Sequence, residues 1–257
     1  MREVPIRPAA TVMLLRDGGA GPEVYLLRRV AQMAFAGGMT AFPGGGVDAR
    51  DAAPIGWQGP APDWWAAQFG ADVALAGGVV VAAVRELFEE VGVLLVDLPT
   101  PAPDAAALAD LRRRIVDHQI GLDTVVGDGS IRADRLRPWA RWVTPAGQSR
   151  RYDTFFLLAL LPDGAEARML TTEAENGQWM RPGEALTAAA RGAIAMMPPT
   201  VAMLTELAVY GSAAELLAVD RVIETVAPQP ISHPGETLRV LVAGTEFGAL
   251  GMPSSSP

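Results

Sequence analysis

The chain has 257 residues, 50% of them hydrophobic, a formal net charge of −8 and a sequence pI of about 4.8. This length suits one large domain or a domain with an appendage, and the acidic balance argues against nucleic acid or an anionic membrane as the main partner. The lack of cysteine excludes disulfides, a thiolate nucleophile and zinc–thiolate sites. Residues 1–8 contain no apolar signal segment, and the longest apolar run, 73–84, is too short to cross a bilayer, so we expect a soluble cytoplasmic protein.

The first 48 residues predict a β-hairpin followed by a glycine-rich loop. Residues 9–16 and 23–29 are rich in aliphatic and β-branched side chains, and an Asp-Gly-Gly turn ends the first of them. Residues 42–48, Phe-Pro-Gly-Gly-Gly-Val-Asp, would let the backbone approach a ligand closely. We expect Met33 and Phe35, between these segments, to pack on the core.

Residues 49–77 are rich in Pro, Gly, Ala and Trp. They predict a short helix at 63–69 with Asp63 as its cap. We expect Trp64 and Trp65 either to cover the flank of the domain or to form a homodimer contact.

Residues 77–95 predict a helix that begins loosely at Gly78, breaks near Gly92 and carries Glu86, Glu89 and Glu90 at positions i, i+3 and i+4. Like charges this close repel, so a divalent cation that neutralises them would explain the pattern. Mg²⁺ takes carboxylate oxygens and keeps waters that a phosphate substrate can replace. The alternative interpretation is a solvated acidic face.

Two further signals follow the acidic helix. Residues 104–120 predict a helix capped by Asp104 and stopped by Gly121, in which residues 112–114 are three arginines on a solvated face. Residues 152–161 form the strongest predicted strand, whose unbroken apolar run indicates burial on both faces. The remaining predicted elements are a strand at 139–143, a short strand at 178–180, helices at 182–191, 200–209 and 212–226, and a last strand at 237–242.

A basic connection precedes the strongest strand. Arg150 and Arg151 are candidate anion contacts, because guanidinium groups match the geometry of phosphate oxygens. The alternative is an ion pair between one of them and Asp153 or another acidic residue.

Together the glycine-rich loop and the acidic helix resemble the box of the Nudix hydrolases, G-x5-E-x7-R-E-U-x-E-E-x-G-U, where U is a bulky aliphatic residue. Gly45 occupies the position of the box glycine, and residues 85–93 match the second half at every fixed position. Asp51 stands where the first glutamate belongs, and 33 residues instead of 7 separate it from Arg85. An insertion in a loop costs little closure entropy, so we expect it to bulge outward from an intact fold.

The interrupted box resembles the branch of Nudix enzymes that includes the peroxisomal coenzyme A diphosphatase of animals. The resemblance implies an α/β/α sandwich with a mixed sheet. It also implies a Nudix domain at 1–195, with the insertion at 49–77, and a helical C-terminal extension at 196–257 packed on it. Further matching segments are residues 35–45, 141–145, 150–156, 177–179 and 182–185.

The chemistry implied by this resemblance is hydrolysis of a diphosphate bond in a nucleoside diphosphate linked to another group, with Mg²⁺ or Mn²⁺ as cofactor. Arg85 would pair with Glu89, and either Glu86 or Glu173 would act as general base. Glu173, six residues before Trp179, is preferred to Glu175 as the additional acidic residue. The expected metal-binding and catalytic residues are Gly45, Arg85, Glu86, Glu89, Glu90 and Glu173. The expected substrate-binding residues are Arg29, Gly38, Gly44, Gly45, Arg150 and Arg151.

The substrate class is implied less specifically. Arg29 and Gly38 fit a longer motif of coenzyme A enzymes in a neighbouring Nudix branch, whereas Val30 and Ala34 do not. The first hypothesis is therefore cleavage of coenzyme A or its acyl esters to phosphopantetheine and 3′,5′-ADP. The alternatives are a pyrophosphatase for ADP-ribose or dinucleotides, and a nucleotide-sensing module without turnover.

Overall fold

The computed structural model describes residues 4–32, 36–230, 239–242 and 245–248. The expected packing of Met33 and Phe35 therefore lies outside the described residues. The strands are β1 (Ile6–Gly18), β2 (Gly21–Arg29), β3 (Thr40–Ala41), β4 (Gly44–Gly46), β5 (Trp57–Gln58), β6 (Val96–Asp97), β7 (Ser130–Arg132), β8 (Leu136–Val143), β9 (Arg151–Leu160), β10 (Ala174–Met180), β11 (Thr225–Val226), β12 (Gln229–Pro230), β13 (Arg239–Val242) and β14 (Thr245–Gly248). The helices are α1 (Pro62–Phe69), α2 (Val73–Val91), α3 (Ala105–Val116), α4 (Leu122–Val126), α5 (Pro182–Ala190), α6 (Pro198–Leu207) and α7 (Ala213–Leu217), with 3-10 turns at Ala49–Ala52 and Ala133–Arg135.

A mixed sheet forms the centre of the molecule, with the strand order β10-β2-β1-β9-β8-β11. The pairs β1–β9 and β8–β11 are parallel and the others are antiparallel, while β3 pairs with β2 and β4 with β1. Two small three-stranded sheets, β5-β7-β6 and β12-β13-β14, stand apart from it. Helices lie on both sides of the central sheet, so the predicted α/β sandwich is confirmed.

The two faces of the central sheet bury separate hydrophobic cores. Because side chains alternate along a strand, Val12 and Leu14 of β1 face α2, whereas Met13 and Leu15 face α5 and α6. In β9, residues 155–159 are all buried, as their unbroken apolar run predicts. Helices α5, α6 and α7 contribute to one core, so they pack against the same face of the central sheet.

Helix α2 begins earlier than the sequence predicts. Asp72, not Gly78, caps it, with a side-chain oxygen that accepts the N–H of Leu75 at 2.8 Å. Gly78 lies inside the helix, where a Cβ would be 3.3 Å from a methyl group of Val47, and the small residue lets the helix approach the glycine-rich loop. The predicted end is correct, because Gly92 adopts the left-handed conformation that terminates the helix.

The insertion does not bulge outward as expected. It contains α1, where Pro62 is the first helical residue and Ala61 occupies the cap position predicted for Asp63. Trp65 and Phe69 are completely buried in the core beneath α2, whereas Trp64 is 39% exposed. The predicted surface position is therefore wrong for Trp65, whereas the role of the partly exposed Trp64 stays a prediction.

Other boundaries also differ from the predictions. Asp104 caps α3 as predicted, but the helix ends at Val116, and Gly121 instead occupies the cap position of α4. The helix predicted at 212–226 is observed only at Ala213–Leu217, and residues 225–226 form β11. The last predicted strand is observed at Arg239–Val242, and residues 237–238 lie outside the described residues.

No single helix in the described part of the chain is long and apolar enough to cross a membrane. Helices α1 and α2 together would be long and apolar enough by length and composition alone, but they are bent by 98° relative to each other.

Candidate active site

The glycine-rich loop lies directly against two glutamates of α2. Gly44 donates its N–H to Oε2 of Glu90 at 2.8 Å. Gly44 has φ +154°, and a Cβ there would lie 2.4 Å from the carbonyl oxygen of Ala10 on β1, so only glycine fits. At Gly45, a Cβ would lie 2.5 Å from Oε1 of Glu86. The two halves of the box therefore meet in space despite the insertion between them.

Arg85 is the charge around which the acidic residues are arranged. Its side chain is only 7% exposed and makes a two-pronged contact with Asp51, at 2.8 and 2.9 Å. Nη1 reaches Oε1 of Glu86 at 2.7 Å and Oε1 of Glu89 at 3.0 Å, so the predicted Arg85–Glu89 pair is present. Nη2 also donates to the carbonyl oxygen of Gly46 at 2.8 Å. One guanidinium group thus ties α2 to the glycine-rich loop and to the first turn of the insertion.

Asp51, at the position of the first box glutamate, is held in place by its own turn. Its side chain is fully buried, and it accepts the N–H of Asp48 at 2.7 Å in addition to the contacts with Arg85. Asp48 in turn accepts the N–H of Arg50, so a capping box holds this turn in place. Asp51 is one methylene shorter than the glutamate of the box, and its fixed turn holds it within reach of Arg85.

The remaining acidic groups are buried close to one another, which disfavours their ionised forms. Burial raises the pKa of Glu86 to about 7, with the charge of Glu89 adding to this and Arg85 opposing it. Burial, followed by the charge of Glu86, raises the pKa of Glu90 to about 8, against the N–H of Gly44. Burial would lower the pKa of Arg85, but its hydrogen bonds with Asp51 and the surrounding carboxylates raise it overall. The site thus holds more negative charge than Arg85 compensates.

Arg29 and Glu173 border the same cluster. Their charges act on Glu90 in opposite directions, Arg29 lowering its pKa and Glu173 raising it. Nη2 of Arg29 is 3.7 Å from Oε2 of Glu173, and the buried Nε of Arg29 has no hydrogen-bond partner among the described residues. Gly38, with φ +74°, donates its N–H to the carbonyl oxygen of Arg29 at 3.1 Å. Glu175 points elsewhere and pairs with Arg28 at 2.8 Å, so the geometry favours Glu173 as the additional acidic residue.

Arg150 and Arg151 lie farther along the sheet. Arg151 is opposite Ile6 of β1, four register positions before the pair of Ala10 and Phe155, and its Nε donates to the carbonyl oxygen of Thr144 at 3.2 Å. Arg150 is exposed. Among the described residues, Asp153 pairs with Arg141 at 2.7 Å, whereas an ion pair of Arg150 or Arg151 with another acid stays a prediction. The structure brings Arg29, Gly38, Gly44, Gly45, Arg85, Glu86, Glu89, Glu90 and Glu173 together, but not these two arginines.

Arg112 is the contact that the sequence interpretation missed. Its Nη1 donates to the carbonyl oxygen of Glu89 at 2.7 Å, so it does not lie on a freely solvated face. Arg113, next to it, is exposed as predicted and pairs with Asp110 on its own helix. A run of arginines on an amphipathic helix gives no signal that distinguishes its members.

Three cavities formed by described residues are lined outside the acidic cluster. A cavity of about 340 Å³ is lined by residues of α1, of the start of β8 and of 217–221, and none of the expected site residues lines it. Another of about 620 Å³ lies between the β1–β2 turn and helices α5 and α6, and none of the expected site residues lines it. A narrower one of about 110 Å³ borders the β8–β9 connection and is lined by Trp142, Thr144, Gln148 and Tyr152, among others. Cavity size therefore does not identify the site, and the charged cluster does.

The acidic side chains fit a hard divalent cation. Within the described ranges, no three acidic or histidine side chains converge into a complete metal cage. Oε1 of Glu86 and of Glu89 is bound by Arg85, and Oε2 of Glu90 by Gly44. Among the described residues, no protein donor binds the other oxygen of these carboxylates. Mg²⁺ is commonly held by one or two carboxylates, with waters and substrate phosphates completing its shell, so a partial set suffices. Oxygen ligands alone suit Mg²⁺ or Mn²⁺.

Comparisons with known proteins point to one family. The family model described as "NUDT19 Nudix domain" matches residues 65–207. A nudix hydrolase of Caenorhabditis elegans is 31% identical over 219 residues, which is 84% of this chain and 65% of that protein. The acyl-coenzyme A diphosphatase NUDT19 of Gallus gallus is 30% identical over 79% of this chain and 66% of its own length, and that of Homo sapiens is 30% identical over 53% and 40%.

A solved structure supports the same fold. The crystal structure of a NUDIX hydrolase from Alicyclobacillus acidocaldarius matches with a TM-score of 0.69 and 28% identity, over 85% of this chain and 98% of that one. The chain spans slightly less than two thirds of the worm and chicken proteins and under half of the human one.

Proposed function

The chain belongs to the Nudix hydrolases of the NUDT19 type, and from this premise we propose that it is a metal-dependent diphosphatase that cleaves coenzyme A or an acyl-coenzyme A. Nudix hydrolases generally use divalent metal ions. Two relatives that are 30% identical bear the name acyl-coenzyme A diphosphatase, which supports this substrate class.

The observation that carries the proposal is the contact between the glycine-rich loop and α2. Gly44 donates to Glu90, and Gly45 leaves room for the carboxylate of Glu86. Since the pKa values of both glutamates are raised by burial, their ionised forms need an additional positive charge. A cation-binding centre beside a loop that can approach a ligand is the arrangement that diphosphate hydrolysis requires.

The residues of the site have different roles in the proposed reaction. A bound divalent cation would neutralise the diphosphate and lower the pKa of a water molecule. Glu86, Glu89 and Glu90 would hold that cation, with Arg85 fixing the first two. The buried Nε of Arg29, which has no partner among the described residues, is a donor available to a phosphate oxygen beside this cluster.

In the proposed reaction a water oxygen attacks one phosphorus, and the bond from that phosphorus to the bridging oxygen breaks. The products from coenzyme A are phosphopantetheine and 3′,5′-ADP. The proton of the water goes to Glu173 or Glu86, which stay the two candidates for general base. Glu173 is more exposed and is paired only loosely with Arg29, at 3.7 Å, so it can accept a proton without losing a strong contact.

A substrate panel tests the proposal. Coenzyme A, acetyl-coenzyme A, ADP-ribose, NADH and a diadenosine polyphosphate are incubated with Mg²⁺, and the phosphorylated products are identified by mass spectrometry. We expect coenzyme A or its ester to have the highest kcat/KM. Faster cleavage of ADP-ribose or NADH would replace coenzyme A as the substrate, and no turnover of any compound would leave a nucleotide-sensing module.

We further propose that Arg150 contacts the 3′-phosphate of coenzyme A. Arg150 is exposed at the β8–β9 connection. A charge-assisted hydrogen bond contributes roughly 1.5–3 kcal/mol, so Arg150→Ala is expected to lower kcat/KM for coenzyme A about tenfold. Dephospho-coenzyme A, which lacks that phosphate, serves as the control substrate and is expected to change little. Equal losses on both substrates would contradict the contact.

A further inference from the structure

The C-terminal end of α2 is bound from outside the helix. The last carbonyl groups of any helix lack intrahelical partners, and three of those in α2 accept hydrogen bonds from two separate parts of the chain. These bonds are Arg112 Nη1 to Glu89 O (2.7 Å), Leu170 N to Glu90 O (2.8 Å) and Arg168 N to Val91 O (3.1 Å).

The segment that supplies the two backbone donors leads directly to Glu173. Leu170 packs on the end of α2, where its Cδ1 is 2.8 Å from the position that a Cβ on Gly92 would take. Three residues later, the carbonyl oxygen of Glu173 accepts the N–H of Val30 at 2.9 Å, which attaches the segment to the end of β2. Residues 168–173 are therefore fixed at one end by the acidic helix and at the other by the strand that carries Arg29.

Arg112 contacts both sides of this junction. Besides the carbonyl oxygen of Glu89, its Nη1 reaches the carbonyl oxygen of Leu170 at 3.4 Å. A cation is favourable at a helix C-terminus, where the unpaired carbonyls concentrate negative partial charge. Arg113 offers a natural comparison, since it has the same side chain on the same helix but is 66% exposed and pairs with Asp110.

We propose that Arg112 is a positioning residue, which joins the end of α2 to the 168–173 segment and so holds Glu173 beside Glu90. The inference rests on the proposed function, because it assigns Arg112 to the placement of carboxylates that this function uses. Among the described residues, Arg112 forms no hydrogen bond with the side chains of the glutamates proposed to hold the metal. It acts through a backbone carbonyl of the helix and a backbone carbonyl of the segment.

Hydrogen exchange tests the link without relying on turnover. Amide exchange of residues 168–170 is measured in the wild-type protein, Arg112→Met, Arg112→Lys and Arg113→Met, because Leu170 and Arg168 donate their N–H groups to α2. We expect protection of these amides to fall at least about tenfold in Arg112→Met, to recover largely in Arg112→Lys and to stay unchanged in Arg113→Met. Unchanged protection in Arg112→Met, or an equal loss in Arg113→Met, would overturn the inference.

Kinetics in the presence of Mg²⁺ then test the catalytic consequence, with the compound from the substrate panel that is cleaved fastest. We expect Arg112→Met to lower kcat about tenfold with KM changed less than about threefold, because the acidic residues and not the substrate contacts are displaced. In a double-mutant cycle with Glu173→Gln, the effect of Arg112→Met should largely disappear, since both changes remove the same contribution. Fully additive effects, or lost protection with normal kcat, would overturn the positioning role.

The hydrogen-exchange and kinetic experiments also distinguish a failure of this inference from a failure of the proposed function. If the wild-type protein cleaved none of the compounds, the proposed function would fail. The exchange comparison between Arg112→Met and Arg113→Met would still support or overturn the link between α2 and residues 168–173.

Discussion

Arg85 keeps its positive charge in a nearly closed site, and Asp51 is the partner that makes this tolerable. Both oxygens of Asp51 face the guanidinium group, and its side chain has no exposed surface. Removing one partner of a buried ion pair leaves an uncompensated charge, so Asp51→Ala is expected to lower the free energy of unfolding by about 3–5 kcal/mol. Urea denaturation measures this. Asp48→Ala, on the same turn but partly exposed, is the matched control and should cost clearly less.

Glu90 should matter for turnover but not for stability. We expect Glu90→Gln to lower kcat at least about a hundredfold, which corresponds to roughly 2.7 kcal/mol of transition-state stabilisation. The free energy of unfolding should stay the same or rise, because the change removes a buried carboxylate whose pKa is raised, and the amide oxygen can still accept the N–H of Gly44.

The control for this change is Glu175→Gln. Glu175 pairs with Arg28 and lies outside the cluster, so both its turnover and its melting temperature should match those of the wild type. A folded Glu90→Gln enzyme with near-normal kcat would show that Glu90 does not hold the metal.

At the residue scale, the sequence predicted the contact between residues one helical turn apart but not the contacts between distant parts of the chain. The pair of Arg85 and Glu89 follows from one helical turn, and it is present. The partnership of Arg85 with Asp51 joins residues 34 positions apart, and it depends on the capped turn that carries Asp51. Arg112 could not be distinguished from Arg113, because only the end of α2 in three dimensions makes one of them a partner and leaves the other in solvent.

At the scale of elements, the insertion is part of the core. Trp65 and Phe69 of α1 are completely buried, Phe69 packs edge-on against Phe155 of β9, and Arg141 donates to the carbonyl oxygens of residues 69 and 70. The sequence located α1 within one residue of its true start. It did not reveal which aromatic side chain faces the sheet, because Trp64 and Trp65 are neighbours whose faces depend on where the helix docks.

The neighbouring tryptophans give a direct test of this packing. Trp65→Ala is expected to lower the free energy of unfolding by about 3–5 kcal/mol, because it leaves a cavity in the core. Trp64→Ala, one residue away and 39% exposed, should cost less than about 1 kcal/mol. Urea denaturation of both variants measures the difference. Similar small losses for both would mean that the insertion is peripheral, as the length of the interrupted box first indicated.

At the scale of the whole molecule, the central sheet explains why the fold was predictable and the site was only partly so. The apolar runs of β1 and β9 are buried on both faces because helices cover both sides, and that pattern is visible in the sequence. The site instead depends on four segments that meet at Glu90: the glycine-rich loop, α2, the end of β2 and residues 168–173. Only the glycine-rich loop and α2 carry a sequence motif. Arg29 at the end of β2 and Glu173 were assigned to the site by resemblance, and the rest of the 168–173 segment was not assigned to it.

The charge of this junction predicts how stability should depend on pH when no metal is bound. The pKa values of Glu86 and Glu90 are raised in the folded protein, to about 7 and about 8, so between about pH 5 and pH 8 the folded state holds more protons than the unfolded state. Stability must therefore fall as pH rises through this window, by at most about 1.4 kcal/mol per pH unit for each group. Asp48, whose pKa is lowered to about 2 chiefly by its hydrogen bonds with Arg50, contributes the opposite slope, but only below this window.

Melting temperatures in EDTA at pH 5, 6, 7 and 8 measure this slope, and we expect them to decrease steadily. Addition of Mg²⁺ should restore stability most at pH 8, because a cation that binds the ionised carboxylates stabilises the folded state in which they meet. Glu90→Gln should show a shallower decrease, since one of the two titrating groups is gone, whereas Glu175→Gln should follow the wild type. A wild-type melting temperature in EDTA that rises or stays level from pH 5 to pH 8 would show that the two carboxylates are not held together in the metal-free protein.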